Sequence, residues 1–222
     1  MAIINIGVLI ISVRKYWKSL YYSSFILTWI IFSFWYVTDF QADVHYSIFW
    51  VFGFLFFMTF YLIFISYKLF HQEKFLASDV LLILSNSFIF YGLGYSVLVN
   101  EPDGGQLLGL FTLGNAAIHL GVTIFIYQQK AADRNLFTMV AGLVLIFITI
   151  AIPVQLDGSW VTLLWAGEAA LLFWIGRRRN DPIYEKISYV LMILAFVSIV
   201  GDWMTVYNQY VPGMPETRMP PL

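Results

Sequence analysis

The sequence contains no cysteine and few charged residues. The absence of Cys excludes disulfides, thiolate metal sites, a Cys nucleophile and thioether-attached haem. Charged residues make up 11% of the 222 residues, against about 25% in an ordinary soluble domain. A formal net charge of -1, with the basic residues spread over separate loops, excludes the basic surface that nucleic-acid binding requires. These shortages point away from a water-soluble fold.

Lys and Arg are also missing from every second gap between the long apolar runs. The gaps 41–45, 100–105 and 155–159 contain neither, and the cytoplasmic loops of multi-pass membrane proteins are where Lys and Arg collect. All the other gaps are basic, so the alternation predicts that both the N-terminus and the C-terminus lie outside. The predicted topology anchors are Arg14, Lys15, Lys18, Lys68, Lys74, Lys130, Arg134, Arg177, Arg178, Arg179 and Lys186.

Apolar residues account for 60% of the sequence, and aromatic residues for 19%. A helix that crosses a membrane needs about 20 mostly apolar residues. The runs are continuously apolar rather than alternating, so they predict helices and not barrel strands. We therefore predict an all-α membrane protein, a polytopic helical bundle surrounded by lipid. Its full spans are predicted at residues 22–40, 46–70, 77–99, 106–127, 136–154, 160–176 and 183–204.

The two ends of the chain are predicted to differ from this pattern. Residues 1–13 would reach only about 20 Å at 1.5 Å per residue, short of the roughly 30 Å hydrocarbon core. They predict a short N-terminal half-helix. Residues 211–222 are rich in Pro, which predicts a flexible tail. The transmembrane helical domain is assigned to residues 1–210.

Glu168 lies near the middle of a predicted span. A charged group at the bilayer centre costs about 2.5–3.5 kcal/mol on insertion scales, so its side chain is expected to face protein. Asn86 and Asn115 fall at matching depth in other predicted spans, and His119 lies one turn below Asn115 on the same helix face. These four residues form a candidate intramembrane polar site. It is either a set of structural contacts between helices or a proton-coupled or solute-binding site.

No pattern in the sequence identifies a catalytic residue, a metal site or a cofactor. Retinal would need a Lys deep within a span, but the two Lys residues inside the predicted spans, Lys68 and Lys186, lie within a few residues of a span end. A haem with two axial His ligands would need two intramembrane His, but His45 and His71 fall in or next to loops. His119 is therefore the one His residue that falls inside a predicted span.

The stretch from Ala151 to Arg178 carries an Ile-Pro and Asp-Gly turn, a Trp, a Trp-Ala-x-Glu core and a terminal Gly-Arg. Its residues are Pro153, Asp157, Gly158, Trp160, Trp165, Glu168, Gly176 and Arg177. This pattern resembles a bacterial family of large predicted polytopic membrane proteins known as a domain of unknown function. The resemblance implies a location in the bacterial inner (cytoplasmic) membrane. It also implies that members are longer, so the chain would be a fragment or a reduced member.

Three functions stay open at the level of sequence. The favoured one is a membrane-embedded helical module of a larger transport or envelope assembly, with further membrane helices or other subunits as partners. A small-solute or proton-coupled transporter would use Glu168 and the two Asn residues. A membrane enzyme acting on a lipid-linked substrate would need polar groups that converge on the outer side. The candidates there are Asp39, Asp43, His45, Glu101, Asp103 and Asp157.

Overall fold

The computed structural model describes residue 7 and residues 18–71, 77–102, 104–128, 134–156 and 159–209. These described residues form helices and no strand. The helices are α1 Lys18–Asp39, α2 Ala42–His71, α3 Ala77–Val99, α4 Gly104–Gln128, α5 Arg134–Gln155, α6 Ser159–Arg179 and α7 Pro182–Gln209. All 7 are long and apolar enough to cross a membrane, which confirms the predicted all-α fold and its seven spans. The half-helix predicted at residues 1–13 lies, apart from Gly7, outside the described residues, as does the tail at 211–222.

The turn between α1 and α2 is closed by local hydrogen bonds around Gln41. The carbonyl oxygen of Gln41 accepts from the N–H of His45 at 2.8 Å. In return, Nδ1 of the His45 ring accepts from the N–H of Gln41 at 3.0 Å. Because these groups satisfy the exposed start of the helix, α2 begins at Ala42, before the predicted start of the span.

The turn between α3 and α4 brings the start of α4 against the end of α3. The N–H of Glu101 donates to the carbonyl of Leu98 at 3.1 Å, and the N–H of Gly104 donates to Glu101 at 3.1 Å. A Cβ at Gly104 would overlap the Leu98 carbonyl oxygen. Only Gly therefore allows this tight connection between two spans.

The chain divides into two compact units, Met1–Ile148 and Thr149–Leu222, with the boundary inside α5. The core of the first unit is built largely from aromatic side chains. Phe32 of α1 packs on Phe49 and Phe56 of α2, with ring centroids 5.3 and 5.6 Å apart. Phe57 of α2 stacks on Phe90 of α3 at 4.7 Å. Such close ring packing joins helices where lipid tails remove most of the hydrophobic driving force.

The second unit contains the end of α5 together with α6 and α7, which form the most extensively packed pair of helices in the described structure. Small residues allow this closeness, since Ala169 of α6 and both Ser188 and Ala195 of α7 are buried. A Cβ at Gly176 would lie 2.9 Å from the backbone nitrogen of Glu185. The two helices therefore meet closely beside their connecting turn.

The α6–α7 turn follows from its sequence, Asn180-Asp181-Pro182. Asn180 takes a φ of 51°, and the N–H of Asp181 donates to the Gly176 carbonyl at 3.1 Å. This is the Schellman arrangement that ends many helices. Oδ1 of Asp181 then accepts from the N–H of Ile183 at 3.1 Å, which caps α7, and Pro182 occupies the first helical position.

Candidate functional site

One face of α4 carries a stripe of buried polar residues in the first unit. Thr112, Asn115, His119 and Thr123 follow one another at helical spacing, and all four are buried. The hydroxyls of Thr112 and Thr123 donate to carbonyls four residues earlier, at 2.7 and 2.8 Å. These two hydroxyls are therefore satisfied within α4 itself. Asn115 and His119 are the members of the stripe with bonding capacity to spare.

His119 is held by three neighbouring aromatic side chains. Its Nδ1 lies 2.6 Å from the hydroxyl of Tyr61 on α2. Its ring stacks on Phe147 of α5, with centroids 5.2 Å apart and an interplanar angle of 8°. The ring of Phe57 approaches edge-on at 6.2 Å. His119 is 0% exposed, and its Nε2 has no hydrogen-bond partner among the described residues.

Asn86 of α3 connects three helices of the first unit. Its Oδ1 accepts from Nε1 of Trp29 on α1 at 3.0 Å. Its Nδ2 donates to the carbonyl of Phe57 on α2, also at 3.0 Å. Because both ends of the amide are engaged across helices, Asn86 acts as a structural cross-link between α1, α2 and α3.

Asn115 uses only one end of its amide. Nδ2 donates to the carbonyl of Phe111, one turn earlier on α4, at 2.9 Å. Oδ1 is buried without a partner among the described residues. The first unit thus arranges Asn86 and His119 about Phe57, with Asn115 one turn from His119. Glu168 belongs to the second unit, and the grouping of all four residues as one site stays a prediction.

The second unit contains an interlock between α5 and α6 that is centred on Pro153. Proline has no N–H, so the carbonyl four residues earlier in a helix loses its usual donor. That carbonyl belongs to Thr149, and Nε1 of Trp165 on α6 donates to it at 3.1 Å. The hydroxyl of Thr149 donates to Oε1 of Glu168 at 3.0 Å. Trp165 and Glu168 lie one turn apart and therefore hold the backbone and the side chain of the same residue.

The Glu168 side chain is half-buried. One of its two carboxyl oxygens, Oε1, accepts the hydrogen bond from Thr149. Oε2 is buried and has no hydrogen-bond partner in the part of the chain that the structure describes. On the neighbouring pair of helices, the hydroxyl of Thr162 on α6 donates to the hydroxyl oxygen of Ser198 on α7 at 2.8 Å. Among its described residues, the second unit therefore combines satisfied polar contacts between helices with a carboxyl oxygen of Glu168 that has no partner.

Four of the predicted topology anchors have described side chains, and they lie at the α6–α7 turn. Arg177, Arg178 and Arg179 occupy the last turn of α6, where positive charge complements the helix dipole. Arg177 approaches Glu185 at 3.9 Å, and Arg178 lies over the ring of Trp174 at 5.1 Å. Lys186 is exposed on the first turns of α7. The side chains of the other anchors lie outside the described residues: Arg14, Lys15, Lys18, Lys68, Lys74, Lys130 and Arg134.

The outer-side candidates for an enzyme make local contacts where they are described. Asp39 accepts from the hydroxyl of its neighbour Thr38 at 2.6 Å, and His45 closes the turn before α2. Asp43 lies in the first turn of α2 and Glu101 in the turn between α3 and α4, whereas Asp103 and Asp157 are outside the described residues. The part of the chain that the structure describes contains no group of three or more His, Asp and Glu side chains that could hold a metal ion.

An apolar groove of about 770 Å³ runs along one face of α2. Its lining consists of Trp50, Val51, Phe54, Leu55, Met58, Thr59 and Leu62. The groove is lined by none of the four residues of the predicted polar site.

The chain matches a protein family over residues 1–215, and that family is described as "Predicted membrane protein (DUF2339)". This chain belongs to that family. The match covers nearly the whole sequence and confirms the predicted resemblance to a family of membrane proteins of unknown function. Neither a curated protein nor a solved structure matches the chain.

The structure gives this DUF2339 member physical roles for several residues of the pattern. Pro153, Trp165 and Glu168 take part in the interlock between α5 and α6. Gly176 allows α7 to approach the end of α6. Trp160 is an exposed side chain, and Asp157 and Gly158 lie outside the described residues.

Sequence reasoning missed the partners of the polar residues. Thr149 carried a usable signal, because it lies four residues before a proline within a predicted span and its carbonyl had to find another donor. Tyr61 carried a weaker signal, since Tyr in a membrane protein usually lies at an interface, whereas Tyr61 falls inside the predicted span 46–70. Nothing in the spacing of Trp29 and Asn86 indicates that they meet.

Proposed function

We propose that this chain is a membrane-embedded helical module of a larger transport or envelope assembly. The observation that carries the proposal is the interlock at Pro153, in which Trp165 and Glu168 both bind Thr149. A helix weakened by proline is secured to its neighbour by two polar contacts, which is a structural use of intramembrane polar groups. In the first unit, Asn86 likewise joins neighbouring helices through polar contacts.

A double-mutant cycle on Thr149→Val and Glu168→Leu tests this role. Each single change also alters burial, but the coupling energy isolates the contact between the two side chains. We expect a coupling of about 0.6–1.7 kcal/mol in the free energy of unfolding, measured in bicelles by titration with SDS. Glu168→Gln retains an acceptor oxygen for Thr149 and should keep most of the coupling. A coupling of zero in the cycle with Glu168→Leu would contradict the structural role.

We further propose that the chain lies in the bacterial inner membrane with both its N-terminus and its C-terminus outside. The support is the basic end of α6 and the start of α7, because Lys and Arg resist translocation. The natural lack of Cys allows single-cysteine variants without background. An impermeant maleimide applied to intact cells should label Gln41→Cys and should label Ile183→Cys only after the membrane is opened. The reverse result would overturn the orientation.

Other membrane helices or subunits are the proposed partners of this module. α7 supports this, because only 17% of its most apolar window is buried within the chain. A photoreactive residue at exposed Phe196 or Val197 should give an adduct with one and the same polypeptide in native membranes. The buried position Leu191 is the matched control and should give no such adduct. Adducts with lipid alone from both exposed positions would argue against an assembly.

Proton-coupled or small-solute transport is a second candidate, and the buried, unpartnered Oε2 of Glu168 favours it. An unpaired carboxyl oxygen within a span can take up a proton or a hydrogen-bond donor of a solute. Proteoliposomes that contain a pH-sensitive dye would distinguish the two candidates. The module predicts the same proton flux for the unsubstituted chain, Glu168→Gln and the control Glu185→Gln. A flux that only Glu168→Gln abolishes would establish the second candidate instead.

A further inference from the structure

Two polar atoms on the stripe of α4 are each buried without a partner among the described residues. They are Oδ1 of Asn115 and Nε2 of His119, and the two side chains are 1% and 0% exposed. Both lie on the same helix face, one turn apart, which separates their Cβ atoms by about 5–6 Å. Each is fixed by its other end, Asn115 by the Phe111 carbonyl and His119 by the Tyr61 hydroxyl.

Neighbouring hydrogen-bonding groups of the stripe are already engaged. Thr112 donates to its own helix and also lies 3.1 Å from the hydroxyl of Tyr91. Thr123 donates to the carbonyl of His119. Buried polar atoms that remain unpaired are costly, particularly within a membrane where bulk water is excluded. A bound molecule that hydrogen-bonds to both atoms would remove that cost.

The chemistry of the two atoms defines what such a molecule must do. Oδ1 of Asn115 can only accept a hydrogen bond. In the neutral His119 ring, Nε2 carries the proton if Tyr61 donates to Nδ1, and Nε2 is an acceptor if Nδ1 donates to Tyr61. The molecule must therefore donate to Asn115 and must either accept from His119 or donate to it. Water satisfies both cases, and it is the smallest molecule that does so, which matters because Phe57 and Phe147 pack against the His119 ring.

We propose that Asn115 and His119 form a binding site for one internal water molecule in the middle of the first unit. The water joins Oδ1 of Asn115 to Nε2 of His119. It extends the Tyr61–His119 hydrogen bond into a continuous chain from α2 along α4. His119 thereby becomes a group that exchanges protons with a bound water although it is shielded from the bulk.

Solid-state NMR on the full chain in lipid bilayers tests the site, with ¹⁵N-labelled His as the reporter. The chain has 3 His residues, so His119 is assigned by the loss of its signals in His119→Gln. We expect magnetisation to pass from water protons to Nε2 of His119. The transfer should fall to background in Asn115→Leu, and it should be unchanged in the control Thr123→Val. No transfer in the unsubstituted chain, or undiminished transfer in Asn115→Leu, would overturn the proposal.

A density map of the unsubstituted chain provides a test that does not depend on any variant folding. At a resolution that shows ordered water, a peak should lie about 2.7–3.2 Å from both Oδ1 of Asn115 and Nε2 of His119. A map with no such peak, or with the two side chains in direct contact, would refute the site.

Discussion

The two units join their helices by different means. In the first unit, rings interlock across α1, α2, α3 and α4, as in the stack of Phe57 on Phe90 and of Tyr91 on Phe111. In the second unit, α6 and α7 meet through buried small residues such as Ala169 and Ala195 and through a hydrogen bond between the hydroxyls of Thr162 and Ser198. One unit fills space with large side chains, whereas the other brings backbones together.

This difference shows two solutions to one physical problem. Water drives apolar helices together in a soluble protein, but lipid does not, so spans associate through packing and polar contacts. Large aromatic rings make contact between helices whose backbones stay further apart. Small residues make contact by allowing the two backbones to approach closely. We expect substitutions to be costly in the first unit when they remove volume and in the second when they add volume or remove a bond.

The largest effect should follow Phe57→Ala. Phe57 is 0% exposed, and removal of a fully buried ring costs about 3–5 kcal/mol. Local unfolding can be followed with single cysteines at two buried positions, Ala116→Cys in the first unit and Ala169→Cys in the second. Phe57→Ala should accelerate thiol modification at position 116, whereas Phe196→Ala, an exposed control, should not. Equal acceleration at position 169 would break the distinction between the units.

Asn86→Leu should have the next largest effect. The change leaves Nε1 of Trp29 buried without its acceptor and removes the donor to the Phe57 carbonyl. An unsatisfied buried group costs about 1–3 kcal/mol. We expect a loss of about that size in the SDS titration, with faster modification at position 116. Ser85→Ala on the same helix is the control, and a neutral result for Asn86→Leu would show that ring packing alone holds α1 to α3.

Combining Trp165→Phe with Pro153→Ala tests the role of the proline in the second unit. Trp165→Phe removes the donor to the Thr149 carbonyl, which should cost about 1 kcal/mol. Pro153→Ala introduces a backbone N–H that can satisfy the same carbonyl. The cost of Trp165→Phe should therefore shrink when Pro153→Ala is present, as measured by the modification rate at position 169. An unchanged cost would show that the indole acts through packing rather than through this bond.

The positions of the helices in the sequence were predictable, whereas the contacts between the helices were not. Runs such as that of α2 are long and continuously apolar, and the length of a membrane span follows directly from the thickness of the bilayer. A span that is apolar on all sides does not reveal which face is buried. The sequence predicts that Glu168 lies near the middle of a span. Helical periodicity does not show that its side chain contacts Thr149. The rule for proline supplies the missing step, because Pro153 marks the carbonyl that needs a donor.

Thr162→Val and Ser198→Ala should give the smallest effect and the finest comparison. Their hydroxyls form one hydrogen bond between α6 and α7 at 2.8 Å, and such contacts in membrane proteins contribute about 0.6 kcal/mol on average. Each single change should therefore cost about that much, and the double change should cost no more than either alone. Gly176→Ala on the same pair of helices should cost more, because its Cβ would lie 2.7 Å from Cγ and 2.9 Å from the nitrogen of Glu185. If the hydroxyl changes cost more than Gly176→Ala, hydrogen bonding rather than close backbone approach would hold the second unit together.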